Sequence, residues 1–171
     1  MNRFLPLFIF IFLLFLFLFW LIIGGSNENR SPLIGKSIPE YDIEFVKSNN
    51  KSLYDLMNEP GFKIINFWAS WCLPCLVEHP ILMALKGKEN LTIIGINYKD
   101  KDNDATEFLS EHGDPYDFIG IDKDGLFGIE MGITGVPETF IVDENGKVVI
   151  RHVGPIDFGN NLVEPQLMDL P

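Results

Sequence analysis

The sequence predicts an α/β domain, a central mixed β-sheet flanked by helices, preceded by one N-terminal transmembrane helix. Three observations carry this. Strand-like apolar runs alternate with helical stretches through the middle of the chain, and strand–helix–strand order implies a parallel pair. Asn145-Gly146, between Thr139–Val142 and Val148–His152, marks a hairpin that adds antiparallel strands to the same sheet. Leu5–Ile23 carries no charge and approaches the roughly 20 residues that a bilayer requires.

Taken in order, the first segment is Phe-, Leu- and Ile-rich with a single early charge at Arg3. Its apolar run exceeds the roughly 7–15 residues of a cleavable signal, so an uncleaved anchor is expected, although Gly24-Gly25-Ser26 leaves cleavage open. Arg3 favours an amino terminus kept in the cytoplasm, which places the domain outside, in a periplasm. The expected division is an anchor at 1–25, a polar linker at 26–32 and one folded domain at 33–171.

Within that domain Tyr41–Val46 reads as a short strand and Asn49-Asn50-Lys51 as a turn. Ser52 and Asp55 form a capping-box pattern for a helix over Leu53–Asn58, which Pro60-Gly61 ends. Lys63–Phe67 is a buried strand. The helix that follows, Leu76 to Lys86, shows Val77, Ile81 and Leu85 at four-residue spacing as its core face, with Pro80 as an interior kink. Leu91–Tyr98 is a second buried strand. Asn103 or Asp104 caps a helix through Glu111 that Gly113 stops. Tyr116–Ile121 reads as a strand, Leu126–Met131 as a short helix, and Phe158–Leu170 as a weakly helical tail.

Composition narrows the function. The formal net charge of −11 argues against a nucleic-acid partner. The two cysteines, Cys72 and Cys75, cannot supply a four-ligand zinc site, and His79, His112 and His152 show no paired spacing. No metal site is therefore expected.

The two cysteines stand in Trp68-Ala69-Ser70-Trp71-Cys72-Leu73-Pro74-Cys75, between a strand and a helix. Unpaired N–H groups and the dipole at a helix start favour a thiolate at Cys72, whose pKa falls from about 8.5 into the range of roughly 3.5–7.5. Cys75 lies one turn on, placed to resolve a mixed disulfide, and Pro74 fits the first helical turn. Trp68 and Trp71 are expected to pack beside the thiols and shape a partner's approach. The reading is a dithiol redox site needing no cofactor beyond the Cys72–Cys75 pair. The alternatives are an inert structural disulfide and a Cu(I) carrier using the two soft thiolates. Asp100, Asp102, Asp104 and Glu111 match EF-hand spacing, but Ala105 stands where that loop needs glycine. His79 reads as a helix-surface residue, and the Asn90-Leu91-Thr92 sequon leads into a core strand.

These residues resemble the thioredoxin fold. More narrowly, they resemble its membrane-tethered periplasmic branch in cytochrome c maturation, the CcmG/DsbE type. The likeness rests on the cysteine stretch with Glu78-His79-Pro80, on Gly95-Ile-Asn-Tyr-Lys-Asp100, on Gly113-Asp-Pro-Tyr116, and on Gly132-Ile-Thr-Gly-Val-Pro-Glu-Thr-Phe140 followed by Asp143 and Gly146. It implies a cis-proline at Val136-Pro137 facing the cysteines, where backbone groups pair with an incoming chain. It also implies that Glu78 and Glu138 are acidic residues close to the redox site. The implied activity is thiol–disulfide reduction that keeps the Cys-x-x-Cys-His thiols of apocytochrome c, or of the partner carrying them, reduced for haem attachment. A membrane-embedded electron donor and a place on the bacterial inner membrane follow from the same resemblance. A broader periplasmic thiol reductase is the alternative. Leu73 departs from the family, which often has Pro after the first cysteine, and the carboxy-terminal helix looks short.

Overall fold

The chain divides into two units, Met1–Arg30 and Ser31–Pro171. The computed structural model describes residues 4–23, 32–47, 51–101 and 103–156. In the first unit, α1 (Leu5–Ile23) is one helix of 19 residues. Its side chains are described as far as Phe19, and among the described residues no helix is long and apolar enough to cross a membrane.

The second unit is built on β2 (Phe62–Trp68) and β3 (Leu91–Tyr98), which pair in parallel around α3 (Leu73–Leu85). Both strands read as nearly continuous apolar runs because they are covered on both faces. On the far side of β3 lie β4 (Phe118–Asp122), parallel to it, and then β1 (Glu44–Lys47), antiparallel to β4. On the other side of β2 follow β5 (Glu138–Val142) and β6 (Val148–Val153), both antiparallel. The strand order is β1-β4-β3-β2-β5-β6, a mixed sheet as expected.

Alternation along the strands sends two apolar clusters to opposite faces. One contains Ile64, Trp68, Ile93 and Ile141 with Ile81, Leu82 and Leu85 of α3, Phe108 of α4 (Asp104–His112), and both cysteines. The other contains Ile65, Phe67, Ile96 and Phe140 with Leu53 and Leu56 of α2 (Leu53–Met57) and Phe127 of α5 (Leu126–Glu130). The expected capping box forms: Ser52 Oγ accepts from Asp55 N and the Asp55 carboxylate accepts from Ser52 N. The hairpin forms too. Asp143 Oδ1 accepts from Asn145 N and Lys147 N, and Gly146 adopts φ 71°.

Several details differ from the sequence reading. β1 covers only Glu44–Lys47, at the sheet edge, while Tyr41 packs its ring 5.1 Å from that of Phe127. β4 begins at Phe118, because Tyr116 turns inward with its N–H held by Asp114 Oδ1. Asn103 makes no side-chain cap for α4. α3 starts at Leu73 and continues through Pro80, and Val77 is exposed. Ile81 and Leu85 lie on its inner face as expected, together with Cys75, Glu78, His79 and Leu82. Counting apolar residues took Val77 in place of Glu78 and His79 because those two inner positions are polar. The turn at 49–50 and the tail over 158–170 lie outside the described residues, as does most of the linker.

Candidate active site

After Trp68 the chain leaves β2 through Ala69, Ser70 and Trp71 and enters α3 at Cys72. Cys72 is the N-cap residue in extended conformation, and its Sγ accepts a hydrogen bond from Cys75 N at 3.2 Å. The cap position is therefore occupied by the sulfur itself, where a thiolate gains from the unpaired N–H groups and the dipole. Cys72 and Cys75 form a disulfide with a Cα–Cα distance of 5.3 Å. Both cysteines are buried, while Trp71, Leu73 and Pro74 around them are exposed.

The preceding turn is fixed by Asp100, beyond the end of β3. Its carboxylate accepts from Ser70 N at 2.6 Å, Ser70 Oγ at 2.7 Å and Asn97 Nδ2 at 3.0 Å. Burial raises the pKa of Asp100, but the hydrogen bonds from Ser70, Asn97 and Lys101 outweigh it and hold the carboxyl below its usual range. Trp71 Nε1 donates to the Lys99 carbonyl at 3.3 Å.

The second side of the site comes from β5. The antiparallel register sets Phe67 opposite Glu138, which brings Pro137 to the end of the sheet where β2 delivers the cysteine turn. The Val136-Pro137 peptide is cis, as the resemblance implied. Val136 packs against the cluster that holds both cysteines and also against the cluster on the other face of the sheet. Among the described residues, neither its N–H nor its carbonyl has a hydrogen-bond partner.

Behind the cysteines lies a closed polar network. Glu78, fully buried on α3 one turn after Cys75, accepts from Asn66 Nδ2 at 2.7 Å and from Ile156 N at 3.0 Å. Asn66 also donates to Thr139 Oγ1 at 3.0 Å, and Tyr116 Oη donates to Asn66 Oδ1 at 2.8 Å. Burial pushes the Glu78 carboxyl up to about 7, against the opposing pull of its two hydrogen bonds. Burial likewise raises the Tyr116 hydroxyl well above its usual value. The Tyr116 ring lies over Gly95, where a Cβ would meet it at 2.7 Å. Glycine at 95 thus makes room for the network.

The redoxin family model matches residues 34–164. The chain is 39% identical over 140 residues to the thiol:disulfide interchange protein DsbE homolog of Paracoccus denitrificans, covering 80% of this chain and 76% of that protein. It is 41% identical over 133 residues to DsbE of Vibrio cholerae, covering 76% and 70%. The chain belongs to the DsbE-type thiol:disulfide interchange proteins. It is also 37% identical over 153 residues to the interchange protein HelX of Rhodobacter capsulatus, covering 90% and 86%. A crystal structure described as DsbE from Chlorobium tepidum superposes with TM-score 0.67 at 27% identity, covering 79% of this chain and 95% of that one. The protein is a thiol–disulfide oxidoreductase with a thioredoxin-like fold.

Other expected site residues fall differently in this DsbE-type fold. Glu138 is fully buried, but alternation along β5 turns it to the sheet face opposite Thr139 and Glu78. Its carboxylate is engaged by Arg151 and Thr134. Trp68 does not shape a partner's approach. It stacks between Tyr116 and Phe108 in the core at 1% exposure, and its Nε1 has no partner among the described residues. His79 is buried rather than on the helix surface; Nε2 donates to the Gly113 carbonyl at 3.0 Å, and burial lowers its pKa. Asp102 of the EF-hand spacing lies outside the described residues, and Asp100 is committed to Ser70 and Asn97.

Sequence reasoning missed Asn66 and Arg151; it quoted Asp100, Tyr116 and Thr139 within the stretches that carry the resemblance but gave none of them a role at the site, apart from weighing Asp100 as a calcium ligand. One signal was present: Asn66 interrupts the apolar run Ile64-Ile65-Asn66-Phe67, and a polar residue in a buried strand needs a partner.

Proposed function

We propose that this protein is a membrane-anchored, periplasm-facing reductase. It keeps the Cys-x-x-Cys-His thiols of apocytochrome c, or of the partner that carries them, reduced for haem attachment. The observation that carries the reductase chemistry is Cys72 at the N-cap of α3, beside the cis Val136-Pro137 peptide, where Val136 N–H and carbonyl have no partner among the described residues. The cytochrome substrate is supported by resemblance, through Gly95-Ile-Asn-Tyr-Lys-Asp100 and Gly135-Val-Pro-Glu-Thr139, and the named relatives support the thiol:disulfide exchange itself. The anchor is supported by the sequence alone, since the run from Leu5 to Ile23 is uncharged and near the roughly 20 residues that a bilayer requires.

In the reducing direction the Cys72 thiolate attacks one sulfur of the substrate disulfide. That bond breaks, a mixed disulfide forms, and the displaced substrate sulfur takes a proton. Cys75 then loses its proton and attacks Cys72 Sγ, which releases the second substrate sulfur as a thiol. Two electrons and two protons have moved to the substrate, and the Cys72–Cys75 disulfide remains. A membrane-embedded donor returns the two electrons. Val136 offers its N–H and carbonyl to an extended substrate segment as a short β-addition. Glu78 tunes the pair: neutral, it leaves a nearby thiolate undisturbed; ionised, it opposes one. The redox group is the cysteine pair itself.

The test is a pair of serine variants in a strain lacking the wild-type protein. Cys72→Ser should abolish exchange and lower covalent cytochrome c. Cys75→Ser should accumulate a mixed disulfide whose captured partner carries a Cys-x-x-Cys-His segment. Normal cytochrome c with both variants would refute the proposal. Capture of unrelated thiol proteins would move the reading to a broader reductase.

A further inference from the structure

The cis-proline loop is held by a clamp on the far side of the sheet. Arg151, on β6, has a side chain 6% exposed, and its Nε donates to Glu138 Oε1 at 2.5 Å. Its Nη2 donates to the Gly132 carbonyl at 2.7 Å. The other oxygen of Glu138 accepts from Thr134 N at 3.0 Å and from Thr134 Oγ1 at 3.2 Å. One guanidinium and one carboxylate therefore fasten the start, the middle and the end of the stretch from Gly132 to Glu138. Phe140 supports the arrangement, its ring centroid 5.7 Å from Arg151 Cζ.

The loop needs such a clamp. It contains Gly132, at φ 66°, and Gly135, and a Cβ on either would meet nothing within 4 Å. Ordering glycines in open space is entropically costly. Val136, at its end, packs against both apolar clusters, the one that holds the cysteines and the one on the clamp's face, and so joins the clamp to the cysteine side of the sheet. A planar fork with fixed donors holds two acceptors at set positions, whereas a lysine ammonium is a point charge that cannot match both.

We infer that Arg151 is a positioning residue for the exchange reaction: through Glu138 and Gly132 it sets the loop so that Val136 presents its backbone groups to the substrate chain. This rests on the reading that an extended substrate pairs with Val136.

The test uses the full chain and a disulfide-bonded Cys-x-x-Cys-His peptide. kcat and KM for the peptide are measured alongside the alkylation rate of reduced Cys72 by iodoacetamide, which needs no chain pairing. Arg151→Met should raise KM on the order of tenfold or more, as misplacement of binding groups does, with alkylation changed less than about twofold. Arg151→Lys should give a smaller rise and Thr134→Ala a smaller one still. If Arg151→Met fails to fold, Arg151→Lys decides. An unchanged KM in folded Arg151→Lys overturns the inference, and so does a parallel loss of alkylation and peptide turnover. A peptide N-methylated beside its cysteine separates the parent reading. If the wild type accepts it as well as the unmodified peptide, chain pairing fails and the inference falls with it. If the wild type rejects it while the arginine variants behave normally, only the inference falls.

Discussion

Glu78→Gln should flatten a slope in the pH dependence of stability. In the folded chain burial raises this carboxyl from 4.5 to about 7. Below pH 4.5 it is protonated in both states, and the folded network carries no penalty. Between 4.5 and about 7 the unfolded chain gives up its proton first, so stability falls as pH rises and the loss is complete above about 7. At about 1.4 kcal/mol per pH unit, that displacement amounts to about 3 kcal/mol. Glutamine has the same shape and cannot titrate. Its amide donates where the carboxylate accepted, and Asn66 can rotate its own amide to answer, because Thr139 and Tyr116 hydroxyls both donate and accept. His79 works in the opposite sense. Its pKa is lowered by burial, so its contribution is present above its unfolded value near 6.5 and lost as pH falls. The informative quantity is therefore the stability of the wild type minus that of the Glu78→Gln variant. It is read from denaturant unfolding of the oxidised full chain between about pH 4.5 and 8.5, followed by tryptophan fluorescence. It should decline by about 3 kcal/mol with a midpoint between 4.5 and about 7. A difference that is flat, or that rises with pH, refutes the burial argument.

The network and the cysteine turn give two further tests. Gly95→Ala places a methyl group 2.7 Å from the Tyr116 ring and should cost about 1–3 kcal/mol, read as a Tm several degrees lower; an unchanged Tm would mean that the ring is not seated there. Asp100→Ala releases Ser70 and Asn97 together and should cut kcat/KM for a peptide disulfide on the order of tenfold while α3 helicity is kept by circular dichroism; full activity would show that the turn before Cys72 is set by other contacts.

Much of this protein could be read from its residues. β2 and β3 were legible because strands covered on both faces are apolar almost throughout, and the α2 cap and the β5–β6 turn because each depends on residues within about five positions. The pairing of Cys72 with Cys75 was legible for the same reason. Val136-Pro137 came through resemblance. The inner face of α3 was read correctly at Ile81 and Leu85 but misread at Val77, because Glu78 and His79 occupy positions that an apolar pattern assigns to hydrophobic side chains.

By itself, then, the sequence determined the local chemistry: a sulfur at a helix start, turns at glycine and asparagine, and strands that must be buried. Only the tertiary structure decided what stands behind that chemistry. Asn66 meets Tyr116 across 50 positions of sequence, Glu78 meets Ile156 across 78, and Ser70 meets Asp100 across 30. Sheet register sets which face each β5 residue takes, so that Thr139 joins the network beneath the cysteines and Glu138, its neighbour, pairs with Arg151 on the other side. Contacts of that range are fixed by strand order and pleat, and no spacing along the chain encodes them.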